Sequence, residues 1–310
     1  MAFSRVLCAF LCLAWVTVSS AGQAKPTVVA SFFPAQCLAH NIVGDKGQVE
    51  LLLGNEEGPH HFQLTPAAIR QLKKADLLIV NGLGLESWLT KVSRELNCRV
   101  VKLSDGLTNE LLKGFSHSHE DGHAHHEKKK PHKPAEQMNP HIWLDPTLMV
   151  AAVSNITRTL QEISPGHAAD YARNAEALRS RLTKLDLELM AELQPVRSIP
   201  FLSLHDAFPY FVRRYGLTLG GVVHEVADGS PSARQLAALS AKVRKEKVKV
   251  IFTEPQFPQR VAKQLAKDLG LRVGALDTLE TGSDPADGYE KAMRQNGRVL
   301  KETLSAGGPQ

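Results

Sequence analysis

The stretch SPGHAADYARNAEALRSRLTKLDLELMAELQP, running from Ser164 to Pro195, decides how the chain is organised. Ser164 is a good helix cap, and Pro165 suits the first helical position, where its missing N–H costs nothing. The helical pattern then runs unbroken to Gln194, and Pro195 stops it. About 29 helical residues rising 1.5 Å each reach about 43 Å, more than one small domain needs. The segment is therefore expected to be a rigid strut, a linking helix over 164–195 that joins a lobe at 25–163 to a lobe at 196–310.

Working outward, both flanks alternate short apolar runs with helical patterns. Before the strut, strands are expected at 28–33, 49–53, 77–80 and 99–103, and helices at 34–43, 66–74, 85–96 and 146–163. Thr65 and Pro66 are placed to cap and begin the second of these helices. After the strut, strands are expected at 199–204, 217–223, 248–253 and 271–276, and helices at 207–215, 232–246, 259–269 and 285–304. Continuous apolar strands between helices predict parallel sheets covered on both faces. The expected fold is α/β: two lobes with parallel sheets flanked by helices, joined by one long linking helix. A chain of 310 residues with 43% apolar and 22% charged side chains has the material for two ordinary cores. Its net charge of +5 is modest, and it carries no Arg-rich stripe or nucleic-acid motif, so no nucleic-acid partner is expected.

Residues 1–24 differ from the rest. Arg5, an apolar run over 6–18 and the small residues Ser19-Ser20-Ala21-Gly22-Gln23-Ala24 have the layout of a secretory signal peptide. The run is short for a membrane span. Cleavage is expected after Ala24, with Ala21 as the alternative. Cys8 and Cys12 leave with this leader, while Cys37 and Cys98 stay. In an oxidising compartment a Cys37–Cys98 disulfide stands beside two separate buried thiols as the two readings.

Composition breaks again at 116–138, which reads SHSHEDGHAHHEKKKPHKPAEQM. His117, His119, His123, His125, His126 and His132 gather there, out of 13 histidines in the whole chain. No apolar periodicity survives, so a loop is expected. A histidine tract of this kind binds transition metals through neutral imidazole.

In parallel α/β sheets, ligands bind beyond the carboxyl ends of the strands. Four positions satisfy that rule. His60 follows the second expected strand, in Gly58-Pro59-His60-His61-Phe62. His141 precedes a helix, in Asn139-Pro140-His141-Ile142-Trp143-Leu144-Asp145. His205 follows a strand directly, in Ser203-Leu204-His205-Asp206, and Asp277 ends another, in Ala275-Leu276-Asp277. Two belong to each lobe, so all four can face one cleft. Three imidazoles and a carboxylate make a good zinc shell. The same three histidines also describe a hydrolytic zinc site with an open fourth position, but no His-Glu-x-x-His helix and no nucleophile elbow are present. Gly82-Leu83-Gly84 follows a strand, yet Ser87 replaces the third glycine of a dinucleotide loop.

Three motifs give the chain a family likeness: Pro59-His60-His61-Phe62-Gln63-Leu64-Thr65-Pro66, Asn139 to Asp145, and His205-Asp206-Ala207-Phe208-Pro209-Tyr210-Phe211. Thr253-Glu254-Pro255-Gln256-Phe257 and Ala275-Leu276-Asp277 add weaker matches. Together they resemble the solute-binding proteins of bacterial ABC metal importers, in particular the ZnuA zinc-uptake type, over essentially the whole chain after the leader. The resemblance implies a periplasmic, non-enzymatic monomer of two lobes with metal held between them. It carries His60, His141 and His205 over as ligands and makes His61 a neighbour. Asp277 matches a position where many relatives supply a carboxylate. The acidic residue that some zinc members place just before the first histidine is Pro59 here, so Asp277 or a water is expected to complete the shell. Manganese-binding relatives usually carry Glu in place of His205, and imidazole favours zinc. Zn2+ is therefore the expected cargo, collected by the His-rich loop and passed to an inner-membrane ABC permease. A manganese or iron importer component, a zinc buffer or surface adhesin, and a periplasmic zinc hydrolase are the alternatives.

Overall fold

The computed structural model describes residues 25–54, 58–60, 62–114, 138–224, 233–255 and 259–306. The expected leader 1–24, His61 and all six histidines of the His-rich loop lie outside them.

The first lobe contains β1 (Thr27–Ala30), α1 (Phe33–Val43), β2 (Gln48–Leu51), α2 (Pro66–Leu72), β3 (Leu77–Val80), α3 (Leu89–Val92) and β4 (Arg99–Lys102), followed by α4 (Pro146–Ile163). Its sheet is parallel throughout, in the order β2-β1-β3-β4. The long helix α5 covers Ala168–Leu193, with a 3₁₀ turn at each end. The second lobe repeats the plan with β5 (Phe201–His205), α6 (Pro209–Tyr215), β6 (Leu219–His224), α7 (Ala233–Glu246), β7 (Val250–Thr253), α8 (Gln259–Leu269), β8 (Arg272–Ala275) and α9 (Gly288–Ser305). Its parallel order is β6-β5-β7-β8. Both sheets place their first strand second, so the chain reverses direction there and opens a crevice at the carboxyl ends.

Side-chain alternation explains how the two sheets share one core. Val28 and Ala30 point to one face of β1 and Val29 to the other, as the strand pleat requires. The inner faces of both sheets belong to a single apolar cluster that includes Val28, Ile79, Trp143, Phe201 and Val250. Helix α5 runs through it, burying Tyr171, Ala175, Leu178, Leu182, Leu185, Leu189 and Leu193 at helical spacing. The outer faces form separate clusters, around Leu78 and Trp88 in the first lobe and around Ile251 and Leu265 in the second.

Polar contacts fix the helix to both sides. Tyr171 donates from its hydroxyl to Lys46 O at 3.2 Å, while Asp186, 4% exposed, takes both arms of Arg214 from α6. Arg294 and Lys301 of α9 pair with Glu188 and Glu192 at 2.7 and 2.9 Å.

The structure departs from the sequence expectation at 85–96. Only Leu89–Val92 is α-helical there. Gly82, Leu83 and Gly84 all have positive φ, which holds the chain in a turn. Glu86 uses its buried carboxylate to accept from Asn81 N, Gly82 N and Ser31 Oγ, gathering that turn instead of starting a helix. Cys37 and Cys98 are both free thiols. Cys37 sits in the shared core and Cys98 packs on the outer cluster of the first lobe, on the other side of the sheet. The disulfide reading is thereby corrected to two separate thiols. No helix among the described residues is long and apolar enough to cross a membrane.

A shared core makes a thermodynamic prediction. Leu185→Ala should lower the unfolding free energy by about 2–5 kcal/mol and leave one cooperative transition in urea, followed by both far-UV and tryptophan signals. Two separated transitions would mean that the lobes do not share their core.

Candidate metal centre

Each sequence-predicted histidine is presented by a segment whose neighbours are buried. His60 lies between buried Pro59 and buried Phe62, which packs edge-on against Trp88 with ring centroids 5.9 Å apart. His141 enters a 3₁₀ turn of fully buried Ile142, Trp143 and Leu144, after which Asp145 caps α4 by accepting from Thr147 N at 2.9 Å. His205 is the last residue of β5. From three distant stretches the fold brings these rings together, with centroids 5.2, 5.9 and 5.1 Å apart. One ligand atom from each lies within 4.8 Å of the others.

Asp277 does not join this group. Its Oδ1 accepts from Leu279 N at 2.7 Å, and its backbone is clamped by Asn296 through two hydrogen bonds of 2.8 and 2.7 Å. Leu279 then takes a left-handed conformation, with φ 59°, and turns Glu280 toward the imidazoles. Glu280 Oε1 stands 3.5 Å from His60 Nε2 and 3.6 Å from His141 Nε2. The carboxylate that stands beside His60 and His141 is that of Glu280. The carboxylate nearest the strand end, that of Asp277, has one oxygen engaged in a local turn. Gly58 allows the close approach, since a Cβ there would sit 3.0 Å from Glu280 Oε2. The sequence signal for Glu280 was weak, because it stands in a loop beyond the strand end and no spacing distinguishes it.

A second acidic residue lies behind His205. Glu254, directly after β7 and 1% exposed, has Oε1 3.3 Å from His205 Nδ1. A carboxylate on one ring nitrogen orients an imidazole and raises its basicity toward a ligand on the other. Asn139 Oδ1 similarly stands 2.9 Å from His141 Nδ1. His141 Nδ1 is thus engaged on the side away from His60 and Glu280, and His205 Nδ1 faces a buried carboxylate.

Electrostatics separate the residues. Burial, helped by the neighbouring rings of His205 and His60 and opposed by Glu280, pushes His141 down to about 4, so it is neutral at ordinary pH. At His205 burial again works against the charged form, but the carboxylates of Glu254, Glu280 and Asp206 outweigh it and hold its pKa above the usual histidine value. Burial alone would raise Glu280, yet His141 and His60 hold it well below the usual carboxylate range, so it is anionic. Burial raises Glu254 despite the adjacent His205.

The spacing of three of these groups is close to that of a tetrahedral shell, while the His205 ligand atom lies within 4.8 Å of the other two imidazoles. Bonds of about 2.0–2.1 Å in a tetrahedral shell put ligand atoms roughly 3.3 Å apart. His60 Nε2 and His141 Nε2 are 3.2 Å apart, and Glu280 Oε1 lies 3.5 and 3.6 Å from them.

Two parallel sheets around a common helix, with imidazoles and a carboxylate converging at their carboxyl ends, define a cleft-type metal solute-binding protein. The sequence model of the ZnuA family, described as zinc-uptake complex component A, periplasmic, matches residues 28–303, and the chain belongs to that family. The high-affinity zinc uptake system protein ZnuA of Bacillus subtilis is 31% identical over 287 residues, covering 90% of this chain and 88% of that protein. Zinc-binding protein AdcA of Streptococcus pyogenes is 30% identical over 295 residues, covering 92% of this chain. The chain spans only 57% of AdcA's length. The crystal structure of Zn(II)-bound AdcA from Streptococcus pneumoniae superposes with a TM-score of 0.74 at 26% identity, over 92% of this chain and 59% of that one.

These environments fix an order of protonation. In the metal-free protein, acidification from pH 8 should charge His205 before His141, and His141 should remain neutral until about pH 4. Histidine ring NMR titration reads both, and a His141 that protonates before His205 would contradict the described environments.

Proposed function

We propose that the chain binds Zn2+ in the cleft through His60, His141, His205 and Glu280 and delivers it to the permease of an ABC importer. The observation that carries this reading is the convergence of three imidazole ligand atoms within 4.8 Å of one another, beside a buried carboxylate. A carboxylate accepts only, and an imidazole whose Nδ1 is engaged as a donor turns a lone pair inward. Such a cleft attracts a cation. Three imidazoles with one carboxylate suit zinc better than manganese, which prefers more oxygen ligands. The zinc named for AdcA and for the Bacillus subtilis ZnuA supports the same ion.

A shell completed by Glu280 closes the position that a catalytic zinc keeps for water, so the site binds and releases rather than hydrolyses. Asp277 has no role as a ligand in this reading. The leader 1–24 directs export and is removed after Ala24, and the periplasmic family description fits an exported protein. The histidines at 117, 119, 123, 125, 126 and 132 collect zinc in weaker, more numerous sites, and the protein works as a monomer with two lobes on one linking helix.

The deciding experiment is a chelator competition titration of the exported form with residues 117–133 deleted, using zinc and manganese. One tight site that prefers zinc should remain. His205→Ala and Glu280→Gln should weaken it by about tenfold or more, as loss of a ligand interaction worth at least 1.4 kcal/mol requires, whereas Asp277→Asn should stay within twofold. Loss of tight binding on deletion of the loop alone would place the receptor in that loop and sink the reading.

Affinity should also fall as pH drops from 8 to 5. A ligating histidine must be deprotonated, and the raised pKa of His205 makes the proton compete from the upper end of that range. A flat affinity over this interval would exclude His205 from the shell.

A further inference from the structure

His141 belongs to the first lobe, but the residue that orients it is held by the second. Asn139 is 2% exposed, and its Nδ2 donates to Asp206 O at 2.8 Å and to Asp206 Oδ2 at 3.0 Å. Asp206 immediately follows His205. The backbone of Asn139 is gripped from the same side, since Tyr210 of α6 donates its hydroxyl to Asn139 O at 2.9 Å and accepts from Leu112 N at 3.0 Å.

Chemistry fixes which way the Asn139 amide faces. A backbone carbonyl and a carboxylate only accept, so the NH2 end must point at Asp206. Independently, His141 N, an obligate donor, lies 3.0 Å from Asn139 Oδ1, which requires the oxygen at that end. The same Oδ1 stands 2.9 Å from His141 Nδ1. An acceptor there demands a proton on Nδ1, which leaves the lone pair on Nε2. It is Nε2 that faces His60 Nε2 and Glu280.

We infer that Asn139 and Asp206 form a positioning relay in which the second lobe sets the tautomer of a first-lobe metal ligand, so that His141 presents a lone pair to the cleft only while the lobes are in contact. Asp206 touches neither the ion nor His141; it acts through Asn139. Separation of the lobes removes both acceptors from the amide and leaves only the His141 N–H to hold its oxygen, which loosens the bias that keeps the proton on His141 Nδ1. The relay makes interlobe contact and metal affinity parts of one equilibrium.

The inference rests on His141 being a ligand, but its first test does not need metal. In the metal-free full-length protein at pH 8, 15N chemical shifts of the ring should show His141 protonated on Nδ1 and unprotonated on Nε2. The Nε2-protonated tautomer in the wild type would overturn the relay and leave the ligand assignment standing. Asn139→Leu should abolish the bias and weaken zinc binding by roughly 10–100-fold, the usual effect of losing an outer partner of a ligating histidine. Asp206→Ala should shift the same His141 signal in the same direction by less, because the backbone acceptor at Asp206 remains. A purely structural role for Asp206 would lower stability without moving that signal, and this outcome would also reject the relay. If zinc binding in both variants stays within twofold of wild type while the tautomer shifts, the relay holds and His141 is not a ligand.

Discussion

The burial of one apolar stripe on α5 is the interaction on which the rest depends. Leu178, Leu182, Leu185, Leu189 and Leu193 are each 2% exposed or less, and they meet side chains from both sheets. Burying a leucine fully contributes about 1.5–3 kcal/mol relative to exposure, so five of them far outweigh any single polar contact between the lobes. Because neither lobe covers its inner face alone, the sheets cannot drift apart without opening this core. Their carboxyl ends are thereby held at a fixed spacing, and the metal centre is built across that spacing. His60 and His141 come from one side, His205 and Glu280 from the other, with no ligand pair close in sequence.

The centre itself works against stability. Glu280 is a buried anion, and His141 is a fully buried neutral ring held beside two other imidazoles. The facing nitrogen and oxygen atoms are held 3.2–3.6 Å apart in a largely buried cluster, where taking polar groups from water is costly. Such a cluster persists only in a frame that over-determines it. The frame is visible on every side: buried Trp143 donates to Thr278 O at 2.6 Å, Tyr289 donates back to Trp143 O at 2.7 Å, and Glu254 backs His205. Two of these contacts cross between the lobes, which ties the loop that carries His141 to the segment that leads into Glu280.

Much of this was legible in the sequence, for reasons that can be stated. The strands read clearly because both faces are covered, which makes them continuous apolar runs; Leu77–Val80 is buried at every position. Helix α5 was readable because its stripe is regular and its ends carry proline. The three histidines could be placed because strand ends in such sheets converge. What could not be read depended on backbone conformation. Two residues with positive φ, Leu83 and Leu279, are leucines, so nothing in the residue type announced the turns they make. The first dissolved most of an expected helix. The second redirects the chain after Asp277 and brings Glu280, three residues on, beside His60 and His141. Glu86 and Glu254, both buried, look like ordinary surface residues in a sequence, because Glu86 gathers the backbone of a turn and a remote Ser31 hydroxyl while Glu254 faces His205 from a neighbouring strand end.

The uneven exposure of the three rings has a mechanical consequence. The side chain of His60 is 31% exposed, that of His205 15% and that of His141 2%. In a frame that resists wide opening, an ion bound at the proposed centre would be exchanged one bond at a time, starting at His60, the ring most open to water. The two deeper rings are held from outside, through Asn139 and Glu254, and those supports belong to the packed interior. In the proposed centre this arrangement divides the labour: the buried pair would supply affinity and the exposed ring on its loop the path. A small movement of that loop weakens the proposed shell by one ligand without opening the shared core. Tight capture and timely release, which would conflict in a uniformly rigid site, are assigned here to different residues by burial alone.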